Sequence, residues 1–276
     1  MQDIYHSVPF LVSIVFYFLC SIWSIGFILS PNRFNPFIMK LLIYIGFFVH
    51  TCCLVFWGIQ AHNIPVINIF ESMFFLVWCI LLLFIIVNLM YKLSSVLAFL
   101  MPFVTAFSIW SIWFIGNDLT MPNDLQKFWL VAHIVPTFFG YAAFAIAFIA
   151  SIMYITQQKQ LRSKMGGSLL IHLPSLEGLD RLIWMTLSFG FPLITLGLVF
   201  GFVWIRSSNL LGENWFFDPK VVFGIVAWLV YAALLHIRMF ASFHGKKVAI
   251  LTIVGFVIII FTFVGTFFLG SKHGFQ

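Results

Sequence analysis

Eight long, predominantly apolar runs dominate the chain, at about 9–30, 38–59, 68–90, 94–115, 128–155, 182–205, 220–240 and 247–270. Each is close to the ~20 residues that a helix needs to cross the hydrocarbon core of a bilayer. Between them lie only short polar segments. Within the runs the apolar residues are continuous and do not alternate, which excludes the strands of an outer-membrane barrel. In lipid a backbone that is not a closed barrel must satisfy its own hydrogen bonds, and the helix is the way to do so. With 63% hydrophobic and 8% charged residues, the 276-residue chain lacks the charge to cover a water-facing surface. The expectation is an all-α, polytopic transmembrane bundle of eight spans. The first run is long and aromatic and lacks a basic flank with a small-residue cleavage site, so it is read as a span and not as a cleaved signal.

The charges orient these spans. If the termini face outward, the inner segments hold Arg33, Lys40, Lys92, Lys159, Arg162, Lys164, Arg181, Arg238, Lys246 and Lys247, and the outer ones only Lys127, Arg206, Lys220 and Lys272. Ten positives against four is a positive-inside bias, which puts both termini on the non-cytoplasmic side. The net charge of +6 is dispersed among loops and is a topology signal, with no patch that fits nucleic acid. Residues 157–181 form the longest hydrophilic insert, expected to be a cytoplasmic connector. Asn68 followed by Glu71 has the spacing of a capping box at the start of the third span. Cys20, Cys52, Cys53 and Cys79 lie inside spans without CxxC spacing and read as small buried residues.

The chemistry concentrates between Gly201 and Arg238, where a polar, aromatic loop with Trp215, Phe216, Phe217, Asp218, Pro219 and Lys220 joins two spans. Aromatic rings beside charges at a span end are also what a membrane-interface belt looks like. Three histidines single this loop out. His133 lies six residues into the fifth span, roughly 9 Å below Lys127 at 1.5 Å per residue, with Pro136 and Gly140 on the same face. An ionisable side chain inside a span invites a functional role. His236 ends a slowly rotating stripe with Gly224, Trp228 and Ala232, which also serves as a helix-packing surface. His273 emerges beyond the last span, on the side of the loop. His50 sits mid-span in the second run with no sequence partner, while His6, His62, His172 and His244 carry no assignment. Two neutral imidazoles can ligate haem iron axially. Aromatic walls suit the macrocycle, and Lys220 and Arg206 bracket the loop where propionates would need cations. Zinc fits less well, since its closed sites need four clustered ligands. No HExxH, P-loop, GxSxG or dinucleotide fingerprint is present.

From about Leu125 onward, LQKFWLVAHIVPTFFGYAAF, LDRLIWMTLSFGFPLITLGLVFGFVW, NWFFDPK, AWLVYAALLHIR, HGKKVAILTIVGF and SKHGFQ occur in order, and IPVINIFESMFF precedes them. The sequence resembles the CcsA/ResC branch of the haem-handling cytochrome c assembly proteins over more than half its length. The resemblance implies a single domain over 1–276 with an external haem loop at 206–220. By it, His133 and His273 match the external axial ligands of haem iron, and His236 matches the in-membrane ligand. Trp215, Phe217, Asp218 and Lys220 fall in the haem loop. His50 is a weak candidate for the further in-membrane ligand that a CcsB/ResB partner supplies in the family. The implied role is delivery of haem b to apocytochrome c for thioether attachment outside a bacterial inner membrane. Any haem-lyase activity would require the partner. The loop departs from the family's Trp-Gly-x-x-Trp-x-Trp-Asp-Pro-Lys-Glu. Leu211 and Phe217 stand where tryptophans are expected, and Val221 replaces the acid. Degenerate loops are similar to those of the HemX and YpjD groups, where HemX is linked to control of tetrapyrrole synthesis. Those groups tend to lack the full histidine set, so haem handling is the favoured expectation and a HemX-like regulator the alternative. A transporter is disfavoured for want of an inverted repeat.

Overall fold

A computed structural model describes residues 2–30, 32–61, 64–66, 69–91, 94–114, 124–163, 173–208, 215–240 and 245–262. Eight α-helices run through them: α1 (Gln2–Leu29), α2 (Pro36–Ala61), α3 (Ile69–Tyr91), α4 (Leu97–Ser111), α5 (Asp124–Ser163), α6 (Leu176–Ser208), α7 (Pro219–Phe240) and α8 (Lys246–Ile260). Short 3₁₀ turns lie at Ser94–Val96, Ile112–Phe114 and Trp215–Phe217, and no strand occurs among the described residues. The helices α1 to α7 are long and apolar enough to cross a membrane. The chain is a multi-pass helical membrane protein. The described part of α8 has 15 residues, and the rest of the eighth expected span lies outside the described residues. Asn68, half of the expected capping box, also lies outside them, whereas Glu71 sits in the first turn of α3 as expected.

Helix starts follow local chemistry. Asn35 accepts the Phe37 N–H at 2.9 Å with its Oδ1 and caps α2, and Pro36 takes the first helical position, where a missing N–H costs nothing. Gly245, at φ 70°, starts α8 in a conformation that side chains disfavour, and its N–H donates to Asp180 Oδ1 at 3.1 Å.

The chain forms two compact units. The first comprises residues 1–118 and 156–176. In it α1 packs on α2 and α4, and α3 packs on α2 and α4. Phe10, Tyr17, Met39, His50 and Phe74 are buried in its core. Cys20, Cys53 and Cys79 are buried free thiols, as read from the sequence, while the Cys52 thiol is free and exposed.

The second unit comprises residues 119–155 and 177–276. Glycines let α5 and α6 approach closely. A Cβ on Gly140 would lie 2.5 Å from Ile194, and one on Gly190 2.7 Å from Phe144. Small residues at such contacts let backbones near each other and gain dispersion energy where no hydrophobic effect drives association. At the far end of this helix pair, Arg238 Nη2 meets Asp180 Oδ2 at 2.7 Å, and Nη1 meets Oδ1 at 3.4 Å. The guanidinium also lies 5.0 Å from the Trp184 ring centroid. This ion pair, with the Gly245 N–H, ties α6, α7 and the start of α8 together.

Candidate functional site

His133 is held on α5 by a carbonyl of α6. Its Nδ1–H donates to the Gly197 oxygen at 2.7 Å. A carbonyl oxygen can only accept, so Nδ1 carries the proton, and in the neutral ring the lone pair belongs to Nε2. Metal-ligating histidines are usually oriented by such a bond on the opposite nitrogen. The ring lies parallel to Trp204, within 5° and with centroids 6.4 Å apart. Gly201 leaves room for it, since a Cβ there would approach Nδ1 to 2.7 Å. One turn on, Thr137 Oγ1 donates to the His133 carbonyl at 2.6 Å, and a Cβ on Gly197 would collide with that hydroxyl. Gly197 and Gly201 are therefore shaped to the α5 side chains opposite them.

These residues border a cavity of about 130 Å³ within the second unit. His133, Thr137 and Tyr141, four residues apart on α5, form its polar strip, and Lys220 and Gly224 face it from α7. Ile134, Phe138, Leu198 and Phe202 are among its apolar walls. The cavity brings together two residues expected from the sequence, His133 and Lys220. It adds Thr137 and Tyr141, whose signal was a four-residue spacing from His133 on α5, and Gly201 and Trp204 of α6.

The loop before α7 is a 3₁₀ turn whose Trp215 is half-buried, stacked on Phe216 at 3.6 Å and tilted against Phe202 at 5.6 Å. Phe217 is 82% exposed, so its ring is open to an incoming flat molecule. Asp218 is buried, and its Oδ1 accepts the Lys220 N–H at 2.9 Å while its carbonyl accepts the Val222 N–H at 3.0 Å. With Pro219 next, Asp218 is the N-cap of α7 and fixes where Lys220 emerges.

His236 is not among the residues that line this cavity. His236 is exposed near the C-terminal end of α7, on the outward stripe of Val222, Val226, Leu229 and Ala233. In the stripe expected from the sequence, Gly224 faces the cavity, while Trp228 donates from Nε1 to Thr195 Oγ1 at 2.9 Å and stacks on Phe191. His50 belongs to the first unit and is fully buried, stacked on Phe74 with centroids 3.7 Å apart. Tyr17 Oη lies 2.8 Å from its Nδ1 and also donates to the Gly46 carbonyl at 3.3 Å. His50 Nε2 has no hydrogen-bond partner among the described residues. His273 lies outside the described residues. No cluster of three or more His, Cys, Asp or Glu able to hold a metal ion occurs among the described residues.

Residues 66–273 match the model of the cytochrome C assembly protein family. The chain belongs to this cytochrome c assembly family. It is 30% identical to a cytochrome c biogenesis protein CcsA of Prochlorococcus marinus subsp. pastoris, over 97% of this chain and 92% of that relative. It is 31% identical to the CcsA of Prochlorococcus marinus strain MIT 9312, over 97% and 93%. It is 32% identical to the CcsA of Guillardia theta, over 77% and 76%. The cytochrome c assembly match contains His133, the Trp215 turn, His236 and His273, and it begins beyond His50.

Proposed function

We propose that the chain works in cytochrome c biogenesis as a haem-handling subunit, with haem b as its substrate. His133 Nε2 is one axial ligand and His273 the other. Trp215 and Phe217 wall the ring, and Lys220 meets a propionate. Asp218 acts indirectly, by capping α7 and so positioning Lys220. The observation that carries this reading is the bond from His133 Nδ1–H to the Gly197 carbonyl, which prepares the opposite nitrogen for a metal on the border of an apolar cavity that Lys220 also lines. Membership of the assembly family and the CcsA relatives support it.

His236 is the second, in-membrane ligand. Because it projects from the exposed stripe of α7, its opposite ligand comes from another polypeptide, a CcsB/ResB-type membrane partner; His50 is the weaker candidate. The positive-inside bias places the termini and the 206–220 loop outside a bacterial inner membrane and residues 157–181 in the cytoplasm, with the whole chain acting as one CcsA-like domain. Haem entering near His236 is then presented between His133 and His273, where the thiols of apocytochrome c add across its vinyl groups. Haem-lyase activity belongs to the complex with the partner.

Purification followed by a pyridine haemochrome assay tests this. His133→Ala and His273→Ala lose the low-spin Soret band, and His62→Ala keeps it. Full haem retention in the double variant refutes the ligand assignment. A HemX-like regulator is the second reading, favoured by the loss of two loop tryptophans. It requires no stoichiometric haem and an altered level of a tetrapyrrole-pathway enzyme on deletion.

A further inference from the structure

Glycine inside a helix is unfavourable relative to alanine and persists where something needs its missing side chain. For Gly26, Gly46, Gly140, Gly190, Gly197, Gly201 and Gly255 that something is the protein, since a Cβ on each would find another side chain at 3.0 Å or closer. Gly224, in the second turn of α7, differs. A Cβ there would meet nothing within 4 Å among the described residues, although the residue is only half-exposed and faces the same cavity as His133 and Lys220. No unusual backbone conformation accounts for it, because its φ is not positive. Neither the backbone nor packing among the described residues requires a glycine here, which points to the contents of the cavity.

The size of the space narrows what that is. An apolar cavity of about 150 Å³ takes one benzene ring. The cavity of about 130 Å³ is of that scale and cannot enclose four pyrroles. Lys220 stands one turn before Gly224 on the same face of α7, while Ile134, Phe138 and Ala227 supply apolar wall. The charged groups of a ligand therefore belong at Lys220, and an uncharged ring edge belongs deeper, against Gly224.

Resting on the haem reading above, we propose that the gap at Gly224 is a slot for one uncharged edge of the tetrapyrrole. Haem is held edge-on, with one ring inserted between α5, α6 and α7 and the remainder of the macrocycle outside the cavity. Gly224 is the residue that sets how deep the ring enters and so brings the iron level with His133 Nε2.

The experiment uses the full-length chain in detergent with added haem, comparing wild type, Gly224→Ala, Gly224→Leu, Gly255→Ala and His133→Ala. Expected are a Kd raised at least tenfold by Gly224→Leu and several-fold by Gly224→Ala, with thermal stability unchanged or raised in Gly224→Ala, because its added Cβ meets open space among the described residues. Gly255→Ala leaves the Kd within about twofold. Wild-type affinity in Gly224→Leu overturns the slot while leaving the haem reading intact. Wild-type chain that takes up no haem, or His133→Ala that binds as wild type, overturns the reading on which the slot rests. A direct readout comes from Gly224→Cys in a background lacking the four native cysteines, where haem protects the introduced thiol from a small membrane-permeant alkylating reagent. Equal alkylation with and without bound haem overturns the slot.

Discussion

Gly201→Ala adds one methyl group at the point where α6 makes room for the His133 ring. The new Cβ would lie 2.7 Å from Nδ1 and 3.0 Å from Cε1, about 0.7 Å short of ordinary contact at the nearer atom. Both groups sit on helices, so the imidazole is the part that yields. A shift of that size lengthens the 2.7 Å bond to the Gly197 carbonyl to about 3.4 Å, past the useful range for N–H···O. The lost bond costs about 1 kcal/mol and the overpacking about 1–3 kcal/mol. Removing the group that orients a metal-ligating histidine typically lowers metal affinity roughly 10–100-fold. Haem titration followed at the Soret band, with a thermal melt on the same sample, measures both effects. The expected outcome is a folded protein with a Kd raised at least tenfold and a smaller low-spin fraction. Gly255→Ala, which crowds Tyr231 at 3.0 Å away from the cavity, is the control. If Gly201→Ala binds haem as wild type, or if Gly255→Ala weakens haem equally, the orienting role of the Gly197 carbonyl is wrong.

Other perturbations separate stability from ligation. Arg238→Met leaves Asp180 without its guanidinium, which costs roughly 2–4 kcal/mol for a pair this buried, seen as a lower melting temperature with normal haem content; Arg238→Lys recovers only part of it. Asp218→Ala removes the cap of α7 at about 1 kcal/mol, and Asp218→Asn restores it; a variant pair that melts alike would discredit the capping role. His50→Leu removes a buried ring nitrogen that has no hydrogen-bond partner among the described residues and leaves Tyr17 its bond to Gly46, so it is cheaper than Tyr17→Phe, which strips His50 Nδ1 at about 1–3 kcal/mol. Loss of haem in His50→Leu at unchanged stability would instead make His50 a ligand. In detergent a small membrane-permeant alkylating reagent labels Cys52 faster than the other three, read by mass spectrometry of the intact protein; equal labelling of Cys20, Cys53 or Cys79 would contradict their burial.

The helices were legible because the bilayer leaves a continuous apolar run no other way to satisfy its backbone, so α1 to α7 fall on the expected runs. Their ends were not, since α5 and α6 continue as helix beyond the apolar stretch, to Ser163 and from Leu176. His133 was readable as an ionisable group inside a span. Its carbonyl partner was not, because Gly197 lies 64 residues away and the pairing depends on the register of α5 against α6. Tyr17 and His50, 33 residues apart, are hidden for the same reason. Asp218 was read only as part of the haem loop, although Asp followed by Pro before an apolar run is a helix-start signal that would have marked it as a cap. The Gly224–His236 stripe was visible in the sequence. Which of its members would face a cavity and which the exterior depends on where α6 and α8 sit around α7.

Arg238 and Asp180 fasten α7 to α6 by charge at one end, Trp228 and Thr195 join them by a neutral hydrogen bond part-way along, and the cavity lies toward the other end. Gly224 is fourteen residues from that rivet, about 21 Å along the axis at 1.5 Å per residue. Leaning α7 outward by about 5° with the rivet fixed would carry Gly224 sideways by about 2 Å. Such a lean would work as a clothes-peg does, a small angle at a closed end widening the jaw by a useful fraction of a flat ring's thickness, and it would stretch the neutral Trp228–Thr195 bond but no charged contact.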